Sequence, residues 1–224
     1  MSDERILVIL PTRGRPWSAL EAIASVMKHA AKPATVEIIV CNDYDDPKQF
    51  DLIYSDKESP ISQLLLPRKS FVEWLNFCVD DLENFDWVTW LGDDVRYLTP
   101  GWDDIVRSHQ EFIIYGPDGI QDERIPTHPF IRCEIPRALE WLVPPKLKHY
   151  CADLFIQALG NELHSIAYDP ALRIEHLHVN NGKRAKDQTH VEAMQHWGRD
   201  HENWEEGIKQ SIPAIAQLVT NALR

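Results

Sequence analysis

Residues 87–102 read WVTWLGDDVRYLTPGW. A run of β-formers, Trp87 to Leu91, stops at Gly92 and delivers Asp93 and Asp94 at its carboxyl end. Open α/β sheets bind their ligands beyond the carboxyl ends of the strands. Two adjacent carboxylates repel each other, which is costly unless a cation or a donor network compensates. A hard divalent ion held by one or two carboxylates, its shell completed by a diphosphate, is the usual compensation. The pattern predicts a metal and a phosphorylated ligand at this corner. The alternative reading is a strand followed by a polar turn, because Asp and Gly are ordinary turn residues.

Upstream, Ile6 to Leu10 is an aliphatic run followed by Pro11-Thr12-Arg13-Gly14-Arg15-Pro16 and then by apolar residues at helical spacing (Trp17, Leu20, Ile23, Ala24, Met27). Val36 to Cys41 is a second buried-strand pattern ending in Asn42-Asp43-Tyr44-Asp45-Asp46. Unbroken aliphatic strands alternating with helices predict a parallel sheet covered on both faces. Gln63 to Leu66 is a short strand candidate ahead of Arg68 and Lys69, and Phe71 to Leu82 has helical periodicity. The first hundred residues thus read β-α-β-(β)-α-β.

Downstream, Trp102 to Ser108 reads as a helix and Phe112 to Tyr115 as a strand. Proline becomes frequent after Gly116, with short strand-like pieces such as Phe130 to Cys133. Ala152 to Leu163 is helical by periodicity, Ile174 to Val179 reads as a last strand, and Ile208 to Leu223 as an amphipathic tail. The division predicted is a nucleotide-binding half, 1–116, and an acceptor half, 117–224, within one continuous domain.

Composition narrows the class. The chain has 224 residues, 44% hydrophobic, with a net charge of -12. That acidity argues against a general polyanion binder, which needs clustered Lys and Arg. A local basic cleft from Arg124, Arg132, Arg137, Lys146 and Lys148 is the remaining route to such a partner. The four cysteines are scattered without zinc-ligand spacing and fit a reducing, cytoplasmic setting. The first ten residues, MSDERILVIL, lack the features of a secretory leader, and no apolar run reaches the ~18 residues of a membrane span.

Further residues carry chemistry. Arg13 and Arg15, in a loop opening a helix, suit a diphosphate or a base, though neither the GxxxxGK[ST] nor the GxGxxG pattern is present. Asp43 lies where Rossmann domains use an acidic residue to read a ribose. In Glu175-His176-Leu177-His178 the strand alternation turns both imidazoles to one side, as a metal site requires. Lys183, in the following turn, offers a cation for a leaving diphosphate. Asp153, at a helix start after His149-Tyr150-Cys151-Ala152, is a candidate general base. Each residue also has a structural reading, as a polar turn, a solvated charge or a helix cap.

The order of these motifs resembles the nucleotide-sugar glycosyltransferases of the GT-A type, specifically compact family-2-like enzymes often encoded by bacteriophages. The resemblance covers roughly residues 5 to 190 and implies an α/β, Rossmann-like, mostly parallel sheet flanked by helices, with a C-terminal acceptor region and helical tail. It implies that Asp94 matches the last carboxylate of the DxD motif and ligates Mn2+ or Mg2+. Gly92 stands where the first Asp is usual, and Asp93 lies near the ribose. Pro11, Thr12, Arg13 and Asp43, joined by Arg68, would line the base and ribose. His178, with His176 as alternative, would complete the metal shell, and Asp153 would be the base of an inverting transfer from a UDP-sugar or related donor. The acceptor implied is a modified DNA base, a virion protein or a glycan. A sugar nucleotidyltransferase is a competing reading that PTRGRP does not fit, and the absent first Asp leaves a non-catalytic sugar-binding module as another.

Overall fold

Strand β1 (Ile6–Pro11) runs through the middle of the sheet, and Ile6 to Leu10 are each fully buried. In this computed structural model, which describes residues 3–46, 48 and 59–224, β1 pairs in parallel with β2 (Val36–Asp43) on one side and β4 (Trp87–Trp90) on the other. Met1 and Ser2, at the start of the segment read for a leader, lie outside the described residues. Leu7 and Ile9 pack into one core and Ile6, Val8 and Leu10 into a second. A strand buried on both faces must be apolar at every position, which is why the run does not alternate.

Helix α1 (Pro16–His29) begins on a proline, whose fixed φ suits the first turn, and buries Ala19, Ala22, Ile23 and Val26 in the second core. Strand β3 (Ile61–Leu66) adds in parallel to β2. Helix α2 (Phe71–Phe77) starts in a capping box, the Ser70 side chain accepting the Glu73 N–H and Glu73 accepting the Ser70 N–H. The helical pattern read to Leu82 tightens into a 3-10 segment from Cys78 to Asn84.

Beyond β4 the chain forms β5 (Val95–Tyr97), α3 (Trp102–Ser108), β6 (Ile113–Tyr115), β7 (Phe130–Arg132), α4 (Glu134–Leu139), α5 (Ala152–Glu162), β8 (Ile166–Tyr168) and β9 (Ile174–His176). The main sheet has the order β3-β2-β1-β4-β7-β6-β8; only β7 runs antiparallel to its neighbours. Helices α2, α4 and α5 cover one face, α1 and α3 the other. The tail comprises α6 (Gln188–Met194), α7 (Trp197–Asn203), a π-helical turn at Trp204–Ile208 and α8 (Lys209–Ala222), which packs Ile212, Ala216 and Val219 into the first core.

The last strand is shorter than its sequence pattern. β9 pairs antiparallel with β5, and the ladder ends at His176, opposite Val95. The chain turns instead through a 3-10 segment at Val179–Asn181 and through Gly182, at φ 71°. This two-stranded ribbon brings the 176–178 segment back to Asp94, whose carbonyl accepts the Leu177 N–H at 2.7 Å. No helix among the described residues is long and apolar enough to cross a membrane. All four cysteines are buried free thiols.

Candidate active site

A cavity of about 760 Å³ opens at the carboxyl ends of β1, β2 and β4. Pro11, Thr12, Arg13, Arg15, Asp43 and Arg68 line it, as do Asp93, Asp94, Asp153, His176 and His178. One further sequence candidate lies apart: Lys183 is exposed, pairs with Glu175 at 2.8 Å and is not on the cavity wall. The neighbouring Arg184 contacts the acidic corner instead. The basic cleft anticipated from five cations does not form. Of these only Lys148 lines the cavity, while Arg132 pairs with Glu4 and Arg137 donates to the Leu82 carbonyl.

Asp93 and Asp94 have different environments. Asp93 is 5% exposed and accepts the Thr12 hydroxyl at 3.0 Å, Arg15 at 3.0 Å and Arg184 at 3.3 Å. Burial pushes its carboxyl above the ordinary range, with Asp94 adding repulsion and the two guanidiniums opposing it. Asp94 is more open. Its nearest ion-pair partners are His176 Nε2 and Arg184 Nη1, both at 3.7 Å. A carboxylate so loosely held is free to take a ligand.

The polar residues at the ends of β1 and β2 are tied to one another. Asp43 accepts Trp74 Nε1, the Lys69 N–H and Arg13 Nη1, each at 3.1 Å. Arg13 also binds Asp45 at 2.6 Å, and Arg15 forms a two-pronged pair with Asp187 at 2.6 and 2.7 Å. That pairing with Arg15 draws Asp187 down to about 2. Arg68 pairs with Glu192 on α6. Glu192 and His190, also on the wall, come from a helix with no motif that marks it in the sequence.

The histidine corner is ordered by one carboxylate. Asp118 is 2% exposed; its Oδ1 accepts the backbone N–H groups of Ile120, Gln121 and Asp122, and its Oδ2 accepts Thr127 Oγ1 at 3.0 Å and faces His176 Nδ1 at 3.4 Å. Burial alone raises its carboxyl, but the His176 bond and the three N–H donors outweigh that and hold it well below the usual range. Asp118, His128 and His176 bring one ligand atom each within 4.8 Å of one another. Burial, with His176 next to it, pushes His128 down to about 3, so the ring is neutral. His178 lies with its ring centroid 5.1 Å from that of His176, and its Nδ1 accepts the Asn180 N–H.

These donors fit a divalent ion. Imidazoles stand beside a loosely held carboxylate, and Gly92 leaves a cradle: a Cβ built there would lie 2.6 Å from Asp94 Oδ1 and 3.5 Å from His128 Nε2.

On the cavity wall at the start of α5, Cys151 adopts φ 65°, and Asp153 sits in the first helical turn. Asp153 Oδ1 accepts the Leu154 N–H at 2.8 Å, and Oδ2 has no partner among the described residues. Burial raises its pKa, with the backbone N–H groups of Leu154 and Asp153 acting the other way. The preceding loop is pinned by Asp200 of α7, which is fully buried and accepts the N–H groups of Lys148, His149 and Tyr150 at 2.8–3.0 Å. Nothing in the sequence around Asp200 signals that contact.

Comparison with solved structures identifies the fold. The chain aligns with a mannosyltransferase, PcManGT, from Pyrobaculum calidifontis solved with GDP-Man and Mn2+, at TM-score 0.60 and 11% identity, over 98% of this chain and 74% of that one. The fold is GT-A. S. aureus TarS 1–349 in complex with UDP aligns at TM-score 0.60 and 16% identity over 95% and 70% of the two chains. TarS 1–349 without nucleotide gives 0.58 and 14% over 92% and 74%. No protein-family model matches the sequence, and no curated protein matches it. At these identities the GT-A likeness is one of fold; the chemistry has to be argued from the residues.

Proposed function

We propose that this chain is a glycosyltransferase that moves a sugar from a nucleoside-diphosphate donor to an acceptor hydroxyl, with a divalent metal and with inversion. The observation that carries the reading is the convergence of Asp94 and His176 in the same cavity as Asp43, Arg13 and Asp153 on a GT-A sheet. PcManGT binding GDP-Man with Mn2+ and TarS binding UDP support a nucleotide-sugar donor here, with UDP the first choice to test.

In this reading Pro11, Thr12, Arg13, Arg68 and Asp43 hold the base and ribose, Asp93 fixes the loop between them, and Arg15 faces the diphosphate. Asp94, with His176 or His178, would hold Mn2+ or Mg2+, which when bound supplies Lewis-acid neutralisation of the departing diphosphate. Arg15 assists because it remains charged at every working pH. Asp153, with Oδ2 open to the cavity and a raised pKa, accepts the proton of the attacking hydroxyl. Lys183 joins the diphosphate only by leaving Glu175.

The test is a thermal-shift panel of UDP, GDP, ADP and CDP with and without Mn2+, followed by incubation with labelled sugar nucleotides. Metal-dependent stabilisation by one nucleotide, then release of its sugar, is the expected result. Binding that ignores metal and yields no sugar release would mean a non-catalytic binding module.

A further inference from the structure

Gly92 carries no side chain, and the tertiary structure brings a nitrogen donor to the space beside it. His128 lies on the loop before β7, far from β4 in sequence. Its Nε2 sits 3.5 Å from the point where a Gly92 side chain would begin, and that point is 2.6 Å from Asp94 Oδ1. Its ring meets that of His176 edge-on with centroids 5.2 Å apart.

Both rings are held by their Nδ1 atoms. His176 Nδ1 faces Asp118 Oδ2 at 3.4 Å, and His128 Nδ1 pairs at 3.1 Å with Thr127 Oγ1, which donates to the same Asp118 Oδ2 at 3.0 Å. A metal-ligating histidine is typically fixed in this way, its second nitrogen bound to a carboxylate or to a group that a carboxylate orients. Asp118 itself is spoken for on both oxygens, by three backbone N–H groups on one and by Thr127 and His176 on the other. Those bonds suit Asp118 to orienting the two rings, and its carboxylate also lies within 4.8 Å of a nitrogen of each. Both Nε2 atoms are left free on the side of Asp94, His176 Nε2 at 3.7 Å from Asp94 Oδ1.

We infer that His128 is a ligand of the metal centre, reaching it on the Gly92 side of Asp94, so that Asp94, His176 and His128 hold the ion and Asp118 is the carboxylate shared by the two rings. This rests on the glycosyltransferase reading only for the presence of a divalent ion. A shell with two imidazoles and one carboxylate favours a transition ion such as Mn2+ over Mg2+, which prefers all-oxygen shells. His178 is the competing second imidazole.

The experiment uses the full chain with Mn2+ alone and with Mn2+ plus UDP or GDP, read by pulsed EPR for directly bound 14N and by calorimetry for affinity. The unaltered protein should show two imidazole nitrogens on Mn2+ and bind Mg2+ more weakly than Mn2+. His128→Asn, which keeps an atom at the Nδ1 position for Thr127, should show one nitrogen and bind Mn2+ about tenfold or more weakly. His178→Asn should keep both. Two nitrogens persisting in His128→Asn at unchanged affinity, or loss of a nitrogen in His178→Asn instead, overturns the assignment, as does failure of Mn2+ to bind at all. If Mn2+ binds through two nitrogens but no nucleotide diphosphate binds, the ligand set stands and the transferase reading fails. If nucleotides bind with Mn2+ and His128→Asn is indistinguishable from the parent, only the ligand assignment fails.

Discussion

Asp94 and His176 belong to segments 82 positions apart, yet the carboxylate Oδ1 and the imidazole Nε2 face each other at 3.7 Å because β5 and β9 pair with His176 opposite Val95. The ribbon is only three residues long on each strand, so the meeting depends on few hydrogen bonds. Asp94→Ala is expected to abolish Mn2+-dependent stabilisation by the nucleotide while leaving the melting temperature of the free protein nearly unchanged. Thermal shift with and without nucleotide checks both halves.

In the proposed metal site Asp118 acts through the rings of His128 and His176. Asp118→Ala leaves buried N–H donors without an acceptor, a loss of about 1–3 kcal/mol in stability. Asp118→Asn keeps an oxygen for part of that set but removes the charge facing His176, so it should fold and bind Mn2+ about 10–100-fold more weakly. Equal Mn2+ affinity in Asp118→Asn and the parent, by calorimetry, would refute the orienting role.

Asp153 predicts two effects of opposite sign. Its pKa is raised in the folded protein, so the folded state binds its proton more tightly than the unfolded chain does. Its favourable contribution is therefore complete below the ordinary carboxylate pKa and is lost as pH rises through the raised one. Asp153→Asn, permanently neutral, should melt higher than the parent at neutral pH while turnover falls about 10²–10⁴-fold. The parent's rate should rise with pH through the raised pKa, and a flat acidic limb would refute the base assignment.

Gly92 has little room for a side chain. A Cβ 2.6 Å from Asp94 Oδ1 forces that carboxylate to swing away, which a flexible side-chain end does at small cost. Gly92→Ala is expected to weaken Mn2+ binding with little change in melting temperature. A large drop in stability at unaltered metal affinity would show that the glycine serves the backbone instead.

Asp200 links the helical tail to the active-site loop. Asp200→Ala strands three backbone N–H groups of residues 148–150 and should cost about 1–3 kcal/mol together with most of the turnover. Asp200→Asn, retaining one acceptor oxygen, should recover part of each. Turnover measured against chemical denaturation separates the loop effect from simple unfolding.

Local pattern alone marked β1, β2 and β4 and the helix after β1, but not β5, whose only strand partner is the distant β9. Ile6 to Leu10, Val36 to Cys41 and the Trp87 segment are apolar at successive positions because both sheet faces are covered, and that local pattern needs no distant partner to be read. It also placed Asp93, Asp94 and Asp43 at strand ends, since topology puts ligands there. Tertiary structure alone decided which distant side chains meet. The strand read through Val179 stops at His176 because pairing partners, not propensity, set its length. His128, Arg184 and Asp200 carry no local signature: each is a single polar residue that meets a chain segment 48 to 91 positions away. Lys183 and Arg184 are both cations in one turn, and only the course of the backbone through Gly182 determines which one faces the carboxylates.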